Sequence, residues 1–203
     1  MKTVLALAAH PDDMEIGCGG TMAAYVGRGM ETHLFVATPG GVGGDAEVRR
    51  REQEDAARLL GIRKVHWGGF EDTHLPEHAN ALLDRLEAVL AEVRPDTVLV
   101  NHLRDTHQDH RTMAEVAYSV TRYIPNVLAY ETPSSSDFDP SVFMDIHDTL
   151  STKLKALEAH ASQVDRTHVR LSIVEIALAT AHFRGVQGKL SCAEAFVPVR
   201  MRL

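Results

Sequence analysis

The chain has only two cysteines, Cys18 and Cys192, in 203 residues. They lie too far apart for a metal-ligand spacing and are too few for a disulfide framework, which fits a reducing compartment, the cytoplasm. Positive charge is also short: 21 Lys and Arg against 28 Asp and Glu leave a net charge of −7. Nucleic acid and anionic membranes both demand a basic surface, so neither is expected as a partner, although a basic pocket could exist locally. Long apolar runs are missing too. The N-terminal run meets His10-Pro11-Asp12-Asp13 within about ten positions, too soon for a membrane span. A cleavable leader is the rival reading, but its apolar stretch would end in that charged turn instead of a small-residue cleavage site. The run reads as a buried first strand. With no repeat, low-complexity tract or shift of composition, residues 1–203 read as a single domain.

The remaining pattern is one of alternation. Apolar runs at about Thr3 to Ala9, Thr32 to Thr38, Lys64 to Trp67, Thr97 to Asn101, Val127 to Tyr130 and Ala195 to Val199 read as strands. Between them, Asp45 to Leu60, Glu77 to Val93, His110 to Tyr123, Asp148 to Ala161 and Leu171 to Ala181 repeat apolar residues at three- and four-residue steps, as helices do. This alternation predicts a Rossmann-like α/β fold, a mostly parallel sheet with helices on both faces. Ligands in such folds sit beyond the carboxyl ends of strands, so polar clusters placed directly after strands carry most information.

Two such clusters exist. His10, Pro11, Asp12 and Asp13 follow the first strand, and the stretch from His102 to His110 follows the strand Thr97 to Asn101. An imidazole and a carboxylate three positions apart across a proline-fixed turn can converge on one ion, leaving Asp12 free. A neighbouring parallel strand can deliver His110 to the same point. Two imidazoles and one carboxylate suit catalytic zinc with an open fourth position. Asp12 would then take a proton from water and His107, if protonated, would donate to the developing oxyanion. Asp109 would orient His107 or back a ligand imidazole.

Each residue also has a plainer reading. The His-Pro-Asp-Asp turn could merely cap a helix, and His107 with Asp109 could be a solvated loop. His102 reads as a strand-end histidine. His33, His66, His74, His78, His147, His160, His168 and His182 lack an acid at telling spacing and read as structural. Gly17 to Gly20 matches no phosphate-loop pattern and suits helix entry. The run Arg49 to Asp55 reads as a solvated helix face, Arg49 excepted.

His10-Pro11-Asp12-Asp13 and His107-Gln108-Asp109-His110 resemble the two motifs of the PIG-L/LmbE-like zinc N-deacetylases, which act on N-acetylglucosamine derivatives. Arg49, Glu52, Ala56, Ala57, Leu60 and Gly61 are similar to that family's second helix, and Arg184-Gly185 with Ala193-Glu194-Ala195-Phe196 to its C-terminal motif. The Pro-Ser-Ser loop at Pro133, the segment Phe138-Asp139-Pro140 and the pair His160 and Gln163 resemble the bacillithiol-type branch. The resemblance implies zinc on His10, Asp13 and His110, Asp12 as general base, His107 as oxyanion stabiliser and Arg49 on the substrate. It also implies a homo-oligomer, a trimer or hexamer. Met14-Glu15 departs from the Glu that directly follows the acid pair in much of the superfamily, and Cys192 stands where the branch often has Tyr.

The function expected is therefore hydrolysis of an acetamide on a small acetamido-sugar, releasing acetate and a free amine. An amidase acting on a thiol conjugate or an antibiotic intermediate would use the same centre. From another class, a phosphoacceptor signalling module also places paired acids after its first parallel strand, but a second His/Asp loop has no use there.

Overall fold

A computed structural model of the protein describes residues 2–167 and 169–202, so His168 lies outside the described residues. One seven-stranded sheet is built from β1 (Thr3–Ala8), β2 (Glu31–Val36), β3 (Lys64–Trp67), β4 (Thr97–Asn101), β5 (Asn126–Tyr130), β6 (Val142–Asp145) and β7 (Ala193–Arg200), in the order β3-β2-β1-β4-β5-β7-β6. The first five strands are mutually parallel, and β7 and β6 add an antiparallel edge. β1 has β2 on one side and β4 on the other, so the chain reverses its direction of winding between β1 and β4. A crevice opens at that switch point, beyond the strands' carboxyl ends.

Burial on both faces explains why these strands are continuously apolar instead of alternating. Val4, Ala6 and Ala8 of β1 point to one side, onto Met14 and Met22 of α1 (Asp13–Gly27), Ala56 and Leu60 of α2 (Ala46–Leu60) and Ala156 of α5 (Leu150–Glu158). Leu5 and Leu7 point to the other, onto Leu82 and Leu86 of α3 (Ala79–Val93) and Met113 and Ala117 of α4 (Gln108–Val120). The period-two direction change of a strand thus feeds two cores. α6 (Ile173–Gly188) packs beside β7, where Ala181 meets Cys192 and Ile146.

The expected strands and helices recur with ends displaced by a few residues, and three features differ. β6 was not anticipated, being four half-buried or exposed residues between turn-rich segments that pair only with β7. Gly17 to Gly20, expected at a helix entry, lie instead inside α1, which starts at Asp13 directly after the His-Pro-Asp-Asp turn and kinks at Cys18 (φ −148°). α6 continues to Gly188, past the expected Ala181, because Phe183 and Val186 face outward and erase the apolar stripe. Cys192 is buried against α6, and Gly185 makes that contact possible: a Cβ there would lie 2.7 Å from the Cys192 Cα.

Because the obstruction at Gly185 is main chain, it cannot rotate away. Gly185→Ala is expected to lower stability by about 1–3 kcal/mol, measured by chemical denaturation. An unchanged midpoint would mean that α6 and the start of β7 separate freely.

Candidate active site

Strand β1 ends at Ala8, and the chain turns through His10 and Pro11 into α1. Asp12 occupies the N-cap position with φ 88°, in the left-handed region, and its side chain makes no capping hydrogen bond. The plain capping reading therefore fails for this carboxylate: the Asp12 carbonyl accepts the first helical N–H, from Ile16 (2.9 Å), but the side chain of this strained non-glycine residue does not cap. Asp13 is fixed differently. Its Oδ2 accepts hydrogen bonds from the main-chain N–H groups of Ala9 (3.1 Å) and His10 (3.0 Å) and from Asn101 Nδ2 (3.3 Å) at the end of β4. Asn101 in turn accepts from the Tyr130 hydroxyl, so β1, β4 and β5 all orient this carboxylate.

From the far side of the crevice, α4 brings His110. Its Nε2 lies 3.2 Å from His10 Nδ1 and 3.2 Å from Asp13 Oδ1, while His10 Nδ1 lies 3.6 Å from Asp13 Oδ2. Ligands about 2.0–2.1 Å from a tetrahedral zinc ion are separated from one another by roughly 3.3 Å. His110 Nε2 stands at that spacing from both His10 Nδ1 and Asp13 Oδ1, while His10 meets the other Asp13 oxygen, and the chemistry of this donor set fits zinc. His107 belongs to the same group of rings, since nitrogens of His10, His107 and His110 all fall within 4.8 Å of one another. It differs in that its Nδ1 already accepts the Asp109 main-chain N–H (3.2 Å), capping α4 and leaving Nε2 as the free position.

Carboxylates surround the two ligand candidates. His10 Nε2 faces Asp72 Oδ1 at 3.0 Å and Asp109 Oδ2 at 3.1 Å, and His110 Nδ1 faces Asp105 Oδ2 at 3.2 Å. Asp109 is itself fixed by the N–H groups of Thr73 (2.8 Å) and Leu75 (3.2 Å). Each imidazole thus has one nitrogen toward the centre and the other on a carboxylate, the arrangement that sets ring angle and tautomer in metal sites. Burial disfavours charge on His10, but hydrogen bonds to Asp109, Asp13 and Asp72 outweigh it and raise its pKa well above the ordinary value. Burial likewise opposes charge on His110, which Asp13 and Asp105 nonetheless push up to about 9. Asp13, raised by burial, is held well below the usual carboxylate range by His110 and His10. So many acids require positive charge at the centre, and a divalent cation supplies it as well as protons do.

Beside this centre, burial raises Asp12 to about 6 against the opposing pull of Arg49. Arg49, buried on α2, donates to the carbonyls of Pro11 (2.8 Å) and Gly40 (2.9 Å) and lies 3.4 Å from Asp12 Oδ2. It ties the β1 turn to the loop after β2. Burial, His10 and His110 together lower the pKa of His107. His10, Asp12, Asp13, Arg49, Asp72 and His107 share one open cleft of about 270 Å³.

All seven residues singled out in the sequence therefore gather at one place. Asp109 sends its carboxylate to His10 and only its main-chain N–H to His107. His102, at the end of β4, packs edge-on against Phe138 instead of joining the cluster. Sequence reasoning missed Asp72 and Asp105. Both follow strands, β3 and β4, but their spacing to His74, His102 and His107 does not single them out, because the histidines they meet, His10 and His110, stand elsewhere in the chain. The charge run on α2 is solvated only in part, since Arg49 and Gln53 are buried.

Residues 5–121 match the model of the PIG-L family, described as GlcNAc-PI de-N-acetylase. The chain belongs to the PIG-L family. Among PIG-L relatives, it is 34% identical over 169 residues to an uncharacterized deacetylase, YaiS, of Escherichia coli, spanning 79% of this chain and 91% of that protein. It is 25% identical to a probable N-acetyl-alpha-D-glucosaminyl L-malate deacetylase of Bacillus cereus, over 84% of this chain and 89% of that one. The solved structure of the N,N'-diacetylchitobiose deacetylase of Pyrococcus horikoshii, in complex with an inhibitor, superposes with a TM-score of 0.84 at 27% identity, covering 98% of this chain and 84% of that chain. PIG-L membership removes the phosphoacceptor reading. No helix among the described residues is long and apolar enough to cross a membrane.

Asp105 faces His110 Nδ1, the nitrogen turned away from His10 and Asp13, and so orients that ring. Asp105→Asn is expected to weaken zinc affinity by about 10–100-fold, read by competition with a chelating dye. Affinity equal to the parent protein would remove Asp105 from that role.

Proposed function

We propose that this PIG-L protein is a zinc-dependent N-deacetylase that hydrolyses the acetamide of an N-acetylglucosamine-type conjugate, releasing acetate and a free amine. His10, Asp13 and His110 would hold the ion, and the observation that carries this reading is that His110 Nε2 lies 3.2 Å from both His10 Nδ1 and Asp13 Oδ1. Zinc bound there supplies Lewis acidity to the substrate carbonyl and acidifies a water.

The remaining steps belong to the chain's own residues. Asp12 accepts the proton that the attacking water loses and returns it to the nitrogen as the C–N bond breaks, and a carboxyl near 6 suits both halves of that task. His107 donates from Nε2 to the carbonyl oxygen as negative charge builds there. Because Nδ1 accepts from the Asp109 main chain, this donor exists even on a neutral ring. Asp109 keeps the His10 ring in place. Arg49 borders the cleft beside Asp12, where its charge meets substrate oxygens. The whole of 1–203 acts as one domain in this reading. The bacillithiol-type likeness supports a cytoplasmic homo-oligomer, a trimer or hexamer, and the exposed Phe183 and Val186 on α6 offer apolar surface for subunit contact.

The test is acetate release by zinc-loaded protein from N-acetylglucosamine, N,N'-diacetylchitobiose and an N-acetylglucosaminyl malate, with a thiol-conjugate amide included. Acetate from a sugar substrate supports the proposal. Cleavage of the thiol conjugate alone would favour the amidase, and cleavage of none would refute it. Asp12→Asn should retain zinc but lose turnover on the order of a hundredfold, by steady-state assay. His110→Ala should lose its zinc during dialysis, because three ligands leave no spare donor. Full occupancy in that variant would strike His110 from the ligand set.

A further inference from the structure

Asp12 adopts an unfavourable backbone conformation, and its main-chain N–H is paired with a buried side chain. Its N–H donates to Gln53 Oε1 at 3.2 Å, while Gln53 Nε2 donates to Glu15 Oε1 at 2.6 Å. Gln53 and Glu15 are both fully buried. The end of the Gln53 amide that faces Asp12 is set by this order of partners. A carboxylate accepts only, so the amide must turn its NH₂ to Glu15 and its oxygen to Asp12. Behind Glu15 stands His160, also fully buried, with Nε2 at 3.7 Å from Glu15 Oε1. Just beyond it, Ser162 donates to Glu52, and Gln163 donates to the Gly43 carbonyl. These contacts bind the segment after α5 to α2 and to the loop at the mouth of the cleft.

We propose that Gln53, oriented by Glu15, is a positioning residue that fixes the left-handed backbone of Asp12 and thereby aims its carboxylate into the cleft. Glu15 leaves its Oε2 without a hydrogen-bond partner among the described residues. A buried, half-satisfied carboxylate is destabilising, and hydrophobic packing between α1 and α2 alone would be served better by an apolar side chain. What the pair adds is a directed acceptor at one main-chain N–H. Neither Gln53 nor Glu15 is among the residues that line the cleft, so the effect passes through Asp12.

The inference rests on Asp12 serving as the base, and its test separates the two ideas. In Gln53→Leu, kcat for acetate release should fall on the order of 10–100-fold, with KM and zinc content held. In an Asp12→Ala background, the same Gln53→Leu change should produce no additional loss. The exchanged pair Glu15→Gln with Gln53→Glu again presents an acceptor to Asp12 and should recover part of the turnover that either single change loses. Independently of activity, amide exchange of the Asp12 N–H followed by NMR should accelerate on the order of tenfold in Gln53→Leu. Unchanged kcat in Gln53→Leu, a loss that persists without Asp12, or unchanged exchange would each overturn the positioning role. If the parent protein releases no acetate from any probe, the deacetylase reading fails, and the exchange measurement alone decides for or against the hold on Asp12.

Discussion

The side-by-side ends of β1 and β4 are the constraint on which the rest depends. Because these parallel neighbours pair in register from Val4 with Thr97 to Leu7 with Val100, the turns that follow them open at the same level of the sheet. Residues 100 positions apart in the chain, His10 and His110, consequently place ring nitrogens 3.2 Å from each other. Asn101 at the last position of β4 joins the two turns through Asp13. The fully buried, apolar strands beneath contribute rigidity, which a site of this precision needs more than it needs any particular surface.

Electrostatics then explains why the cluster suits a cation. Asp13 contacts both central imidazoles, Asp72 and Asp109 contact His10, and Asp105 contacts His110, while the permanent charge of Arg49 lies beside Asp12. Raised pKa values on His10 and His110 and a depressed one on Asp13 express one demand, positive charge at the point where the three donors meet. Asp12 is the exception within this group. It is the acid that burial raises, next to acids that their partners lower, and that separation lets adjacent carboxylates perform different tasks.

Much of this arrangement was legible in the sequence because its parts are local. A strand that ends in His-Pro-Asp-Asp and another that leads into a His/Asp loop announce the switch-point crevice, and the alternation of apolar runs with helical periods announces the sheet. What stayed hidden depends on distance. Asp72 meets His10 only through the pairing of β2 with β3, and nothing beside it in the chain signals a ligand's support. Glu15 and His160, 145 positions apart, are buried together by the packing of α1 and α2 against α5, and nothing in the chain beside either one points to the other. The antiparallel edge was missed because β6 is too short and too exposed to show a period.

A crystal of the zinc-loaded protein, with diffraction collected on both sides of the zinc absorption edge, tests the central claim most directly. The arrangement of donors predicts one strong anomalous peak at about 2.0–2.2 Å from His10 Nδ1, His110 Nε2 and an Asp13 oxygen. A fully loaded protein whose zinc lies elsewhere, with those three side chains still hydrogen-bonded to one another, would contradict it.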